Sequence, residues 1–164
     1  MKAIVYCLLT CLYFLLAACT VNPVTGESQL MFSSFSEDVK IGQEQYQPAQ
    51  QSQGGAYNLD PELSLYVTQV GMKLVAVSDV PKLPYEFVVL NNSVPNAWAL
   101  PSGKIAINRG LLLKLENEAQ LAAVLSHEIV HAAARHGAQR TRDNLFIQVG
   151  MMGLGLGLDL SDND

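Results

Sequence analysis

Cysteine is scarce in this chain of 164 residues, and all three cysteines, Cys7, Cys11 and Cys19, fall at its amino-terminal end. Nothing downstream can therefore be stapled by a disulfide framework. Runs of like charge are missing as well. The formal net charge of -5 leaves no basic surface to track phosphates, which sets nucleic-acid partners aside. No internal repeat of solenoid length is present. Charged residues make up only 15% of the chain against 49% hydrophobic, a balance that allows one ordinary domain with a buried core and argues against disorder. Glutamate is scarce toward the carboxyl end: none follows Glu128, and the downstream carboxylates are Asp143, Asp159, Asp162 and Asp164.

What is present begins with MK and the apolar run AIVYCLLTCLYFLLAA. It falls short of the ~20 residues that cross a bilayer comfortably and ends in small residues, so it reads as a secretory signal over residues 1–18, with an uncleaved anchor as the alternative. The four residues Leu16-Ala17-Ala18-Cys19 resemble a bacterial lipobox, which implies a lipid on Cys19. Thr20, not aspartate, follows that cysteine, and attachment to the outer membrane, facing the periplasm, is the expectation. Residues 19–32, punctuated by Pro23 and Gly26, read as a lipid-anchored tether, and residues 33–164 as the folded part.

Within that part, Ser34 and Glu37 have capping-box spacing ahead of a helix that should end near Pro48. Asp60-Pro61 starts a second helix, with Leu63, Val67, Val70 and Leu74 at helical spacing to about Ala76. YEFVVL reads as a buried strand. NAWALPSGKIAIN reads as two extended pieces about a type I turn at Pro101-Ser102-Gly103, and GLLLKL as a short helix. A long helix should run from about Glu118 to His136, with Gly137 as its stop. The glycine-leucine tail that follows lacks phosphate-loop spacing and reads as a flexible apolar connection.

The chemistry sits on that long helix, in LSHEIVHAAARHG. His127 and His131 are about 40 degrees apart on one face, so both imidazoles can reach one ion, while Glu128 projects about 100 degrees aside. This suits one Zn2+ held by two histidines as a Lewis acid, with Glu128 taking a proton from water. His136 would lie about 180 degrees from His127 on a continuous helix and is expected to be an ordinary helix-end histidine.

NPVTGESQLMFSS, NAWALPSGKIAINRGLL and LAAVLSHEIVHAAARHGAQR together resemble the HtpX-like and CAAX-prenyl-protease-like zinc metallopeptidases of gluzincin type, in particular their bacterial lipoprotein members. The resemblance implies an α+β, zincin-like fold, mainly helical, with a small sheet whose edge strand lies beside the motif helix. It implies His127 and His131 as zinc ligands, Glu128 as general base, and Asn96, Ala97 and Trp98 on the strand that binds an extended substrate. The family's third ligand sits in a later Glu-x-x-x-Asp motif that nothing here matches, so the chain is expected to be a metallopeptidase that stops before its metal site is complete. Unfolded or misassembled envelope polypeptides are the expected substrates. A non-catalytic, chaperone-like lipoprotein that binds extended chains is the alternative.

Overall fold

Side-chain oxygens set where the helices begin. In α1 (Phe35–Ser52) the Ser34 hydroxyl accepts from the Glu37 N–H at 3.2 Å, and Glu37 Oε2 accepts the Ser34 N–H at 2.6 Å. That is the reciprocal box the sequence predicts. In α2 (Pro61–Val75) Asp60 accepts from the Leu63 N–H at 3.0 Å, ahead of a proline that has no N–H to lose. α1 continues through Pro48, where the sequence predicts an end. Pro48 and Glu44, whose carbonyl loses its partner, are both exposed, so solvent can satisfy the freed oxygen.

These elements belong to a computed structural model that describes residue 6 and residues 19–31, 33–140, 142–144 and 146–148. The expected signal segment other than residue 6, and the glycine-leucine tail with Asp159, Asp162 and Asp164, lie outside the described residues.

Three strands form the main sheet: β3 (Glu86–Leu90), β4 (Ala97–Leu100) and β5 (Lys104–Asn108). β5 lies between the others, parallel to β3 and antiparallel to β4, with Trp98 opposite Ala106. All five residues of β5 are buried. After a short α3 (Arg109–Leu112), α4 (Glu118–Ala133) starts at Asn117, whose Oδ1 accepts from the Gln120 N–H at 3.0 Å. Gln120 Oε1 takes the Glu116 N–H instead of closing a box on Asn117. α2 packs on both β3 and α4, and α4 packs on β4. Val67 and Val70 of α2, Val89, Ile105 and Ile107 of the sheet, and Leu125 and Ile129 of α4 share the core. The architecture is α+β.

Two segments depart from expectation. Residues 19–32 read as a tether, yet β1 (Cys19–Val21) pairs antiparallel with β2 (Ser28–Leu30), and the buried Asn22 holds the hairpin to the rest. Asn22 Oδ1 accepts from the Val24 and Thr25 N–H groups at 2.9 and 3.2 Å, and its Nδ2 donates to the Ala134 carbonyl at 3.3 Å. One side chain thus closes the turn and satisfies a helix-end oxygen. The second departure is the end of α4, which stops at Ala133 and not at His136. Arg135 is left-handed, with φ 59°, and residues 136–140 turn helical again, so Gly137 is not the stop.

The turn between β4 and β5 is also left-handed at its second residue: Ser102 has φ 74° and ψ 10°. These angles suit the third position of a type II turn, where glycine is favoured, and do not fit the predicted type I. Ser102 Oγ is buried without a partner. α1 reaches this turn at Gly42, where an added Cβ would meet the Pro101 carbonyl oxygen at 1.9 Å. The two sites predict opposite outcomes. Ser102→Gly, which removes both the left-handed penalty and the unpaired hydroxyl, should raise unfolding stability by about 1 kcal/mol. Gly42→Ala should lower it by about 1–3 kcal/mol, because backbone must move to make room; urea melts of both variants measure the difference.

Candidate metal centre

α4 is apolar on the side that meets the core, where Leu125 and Ile129 are 0% and 3% exposed. That burial fixes the helix's rotation and turns His127, Glu128 and His131 toward a cavity of about 310 Å³. The opposite wall is β4, with Ala97, Trp98, Ala99 and Leu100 lining the same space. Among the described strands β4 lies on the outside of its sheet, so one of its edges carries no strand. A larger cavity, of about 540 Å³, adjoins it along Ala99–Pro101 and is closed by Asp38 and Ile41 of α1.

His127 Nε2 and His131 Nε2 are 2.9 Å apart, with their rings nearly perpendicular at 85°. Two imidazole nitrogens on one tetrahedral zinc are about 3.3 Å apart, given Zn–N bonds of ~2.0–2.1 Å. The pair therefore fits such an ion with a small outward adjustment. Glu128 is 8% exposed and makes no hydrogen bond or ion pair among the described residues. Burial pushes its carboxyl above the usual carboxylate range, opposed by the charge of His127. An unpaired buried carboxylate is costly, and a cation at the two imidazoles would relieve it. Burial, then the charges of His127 and Arg140, holds His131 below the usual imidazole range, which favours the neutral ring a metal requires.

His136, expected far from this face, stands beside it. Its Nδ1 is 2.6 Å from His131 Nδ1, with ring centroids 4.8 Å apart. Burial, followed by the charges of His131, His127 and Arg140, lowers its pKa too. Even so, among the described residues no group of three or more His, Cys, Asp or Glu side chains is placed to hold a metal ion. Asp143, the one described carboxylate after Glu128, is tied to Arg142 at 2.6 Å.

The strand residues divide. Ala97 and Trp98 line the cavity, whereas Asn96 is exposed outside it, its carbonyl accepting the Asn108 N–H at 2.9 Å. Trp98 meets Tyr46 of α1 edge-on at 6.2 Å, and its indole N–H is buried without a partner. Sequence reasoning missed Arg135, His136 and Arg140 as cavity-lining groups. The only signal was their basic character just past an apolar helix.

The chain is similar to known proteins over this region. The chain is 35% identical over 117 residues to the beta-barrel assembly-enhancing protease of Escherichia coli (strain K12), covering 69% of this chain and 24% of the relative. It is 42% identical over 77 residues to the mitochondrial metalloendopeptidase OMA1 of Schizosaccharomyces pombe, covering 47% and 23%. With the protein of that name from Arabidopsis thaliana it shares 38% over 74 residues, or 45% and 15%. The chain thus spans no more than about a quarter of the length of these three relatives. The model of Peptidase family M48 matches residues 61–162, from the first turn of α2 through the histidine helix and beyond. A match over more than half of the sequence, with a helix-borne histidine pair inside it, means that the chain belongs to peptidase family M48.

Proposed function

We propose that this protein is a zinc-dependent endopeptidase of the bacterial envelope, with His127 and His131 as metal ligands and Glu128 as general base. One observation carries the reading: two Nε2 atoms 2.9 Å apart beside a buried carboxylate that has no hydrogen bond or ion pair among the described residues. Peptidases of family M48 depend on zinc, which accords with these donors. Zinc held here would supply Lewis-acid polarisation of the scissile carbonyl. The chain's own residues do the rest. Glu128 takes a proton from the water that attacks the scissile carbonyl and passes it to the amine that leaves as the C–N bond breaks, a role its raised pKa suits. The open edge of β4, with Ala97 and Trp98, binds the substrate as an added strand, and Asn96 marks where that strand enters.

The substrates are unfolded or misassembled envelope polypeptides, a class suggested by the name of the assembly-enhancing relative. The lipobox resemblance supports attachment through Cys19, facing the periplasm from the outer membrane, and a kinship with the bacterial lipoprotein members of the HtpX-like group. Among the described residues no helix is long and apolar enough to cross a membrane. A second reading, a chaperone-like lipoprotein that binds extended chains without cutting them, draws on the absence of a three-donor group among the described residues.

Glu128→Gln should reduce cleavage of an unfolded outer-membrane protein by about 100- to 10,000-fold while zinc content stays unchanged. Undiminished cleavage by that variant would reject Glu128 as the base. In the same assay, binding of the unfolded chain with no zinc-dependent cleavage by the unaltered protein would favour the chaperone-like reading. His127→Ala and His131→Ala should each lose zinc, measured by elemental analysis of the purified protein.

A further inference from the structure

His136 lies five positions after His131, so on an uninterrupted helix their side chains would diverge by about 140 degrees. They meet instead, Nδ1 to Nδ1 at 2.6 Å. The chain direction changes at Arg135, whose φ of 59° is disfavoured for any residue with a Cβ. Arginine offers no local hydrogen bond to compensate, as asparagine would, so the conformation must be held from outside.

The holder is α1. Arg135 Nε donates to Asp38 Oδ2 at 2.6 Å, and its Nη2 donates to the Ser33 carbonyl at 2.7 Å. Ser33 Oγ in turn donates to Asp38 Oδ1 at 2.7 Å. The Arg135 and Asp38 side chains are only 8% and 5% exposed, and both oxygens of the carboxylate are engaged. A buried charge pair satisfied in this way is hard to open from one side.

We propose that His136 is a positioning residue for His131, brought to it by the left-handed turn at Arg135 that Asp38 locks. The inference rests on the reading of His131 as a metal ligand. An imidazole that binds through Nε2 carries its proton on Nδ1, and it keeps that tautomer when Nδ1 has an acceptor. His136 Nδ1 is that acceptor. The contact then has one direction: His131 Nδ1–H donates to His136 Nδ1, which leaves His131 Nε2 without a proton and open to a metal. The opposite direction would place the proton of His131 on Nε2, where it blocks a metal.

Long-range 1H–15N spectra of the full chain, histidine-labelled and metal-free, at a pH where the rings are neutral, read this direction. The expected result is His131 as the Nδ1–H tautomer, giving way to mixed tautomers in His136→Ala and restored in His136→Asn, whose side-chain oxygen can accept in place of Nδ1. Zn2+ alone, titrated in competition with a chelator, should bind about 10- to 100-fold more weakly to His136→Ala than to the unaltered chain and nearly normally to His136→Asn. An Nε2–H tautomer of His131 in the unaltered protein would overturn the proposal, as would unchanged tautomer and zinc affinity in His136→Ala. The spectrum of the unaltered protein decides the direction even where a variant fails to fold. None of these readings depends on peptide cleavage, so loss of the peptidase reading through Glu128→Gln leaves a separate mark.

Discussion

The burial of one face of α4 is the constraint on which the rest depends. Leu125 and Ile129 lie one turn apart in the core that α2 and the sheet share. A helix anchored through two such residues has no rotational freedom, so the residues between them are fixed as firmly as the anchors. His127 and Glu128 lie in that interval and His131 just beyond it, which is why a hydrophobic contact dictates where imidazole nitrogens point. The same packing places β4 across from them and so creates the cavity.

Glu128 illustrates the cost in stability of leaving a buried carboxylate unpaired. A carboxylate at this depth would normally be paired, as Asp38 is with Arg135, or replaced by an apolar residue. Here it stays unpaired among the described residues and its proton affinity rises in consequence. Asp38 and Glu128 carry the same functional group at similar burial, yet one fastens the scaffold and the other has no hydrogen bond or ion pair among the described residues.

Much of this was legible from local patterns. The caps of α1, α2 and α4 follow from a short polar side chain ahead of the first turn, β3 from a β-branched and aromatic run, and β4 and β5 from the Pro-Ser-Gly turn that divides them. The histidine pair announced itself by spacing alone, because helical geometry converts a four-residue interval into proximity. What escaped was set by contacts far apart in sequence. The early end of α4 depends on Asp38, nearly a hundred positions away, and the folding of residues 19–30 depends on Asn22 reaching Ala134. Ser102 looked like a type I turn residue because nothing local reveals that α1 presses against that turn. His136 was placed by an ideal helix that Arg135 interrupts.

α1 touches both sides of the cleft without supplying any group to its chemistry. Near its first turn Asp38 grips the segment that follows the histidine helix, and one turn later Gly42 seats against the Pro101–Gly103 bend that ends the opposing strand. It behaves as a spacer bar whose two fastenings set the gap between the walls. Positions along its outward surface touch neither fastening, whereas a change at either one would re-gauge the opening between the walls.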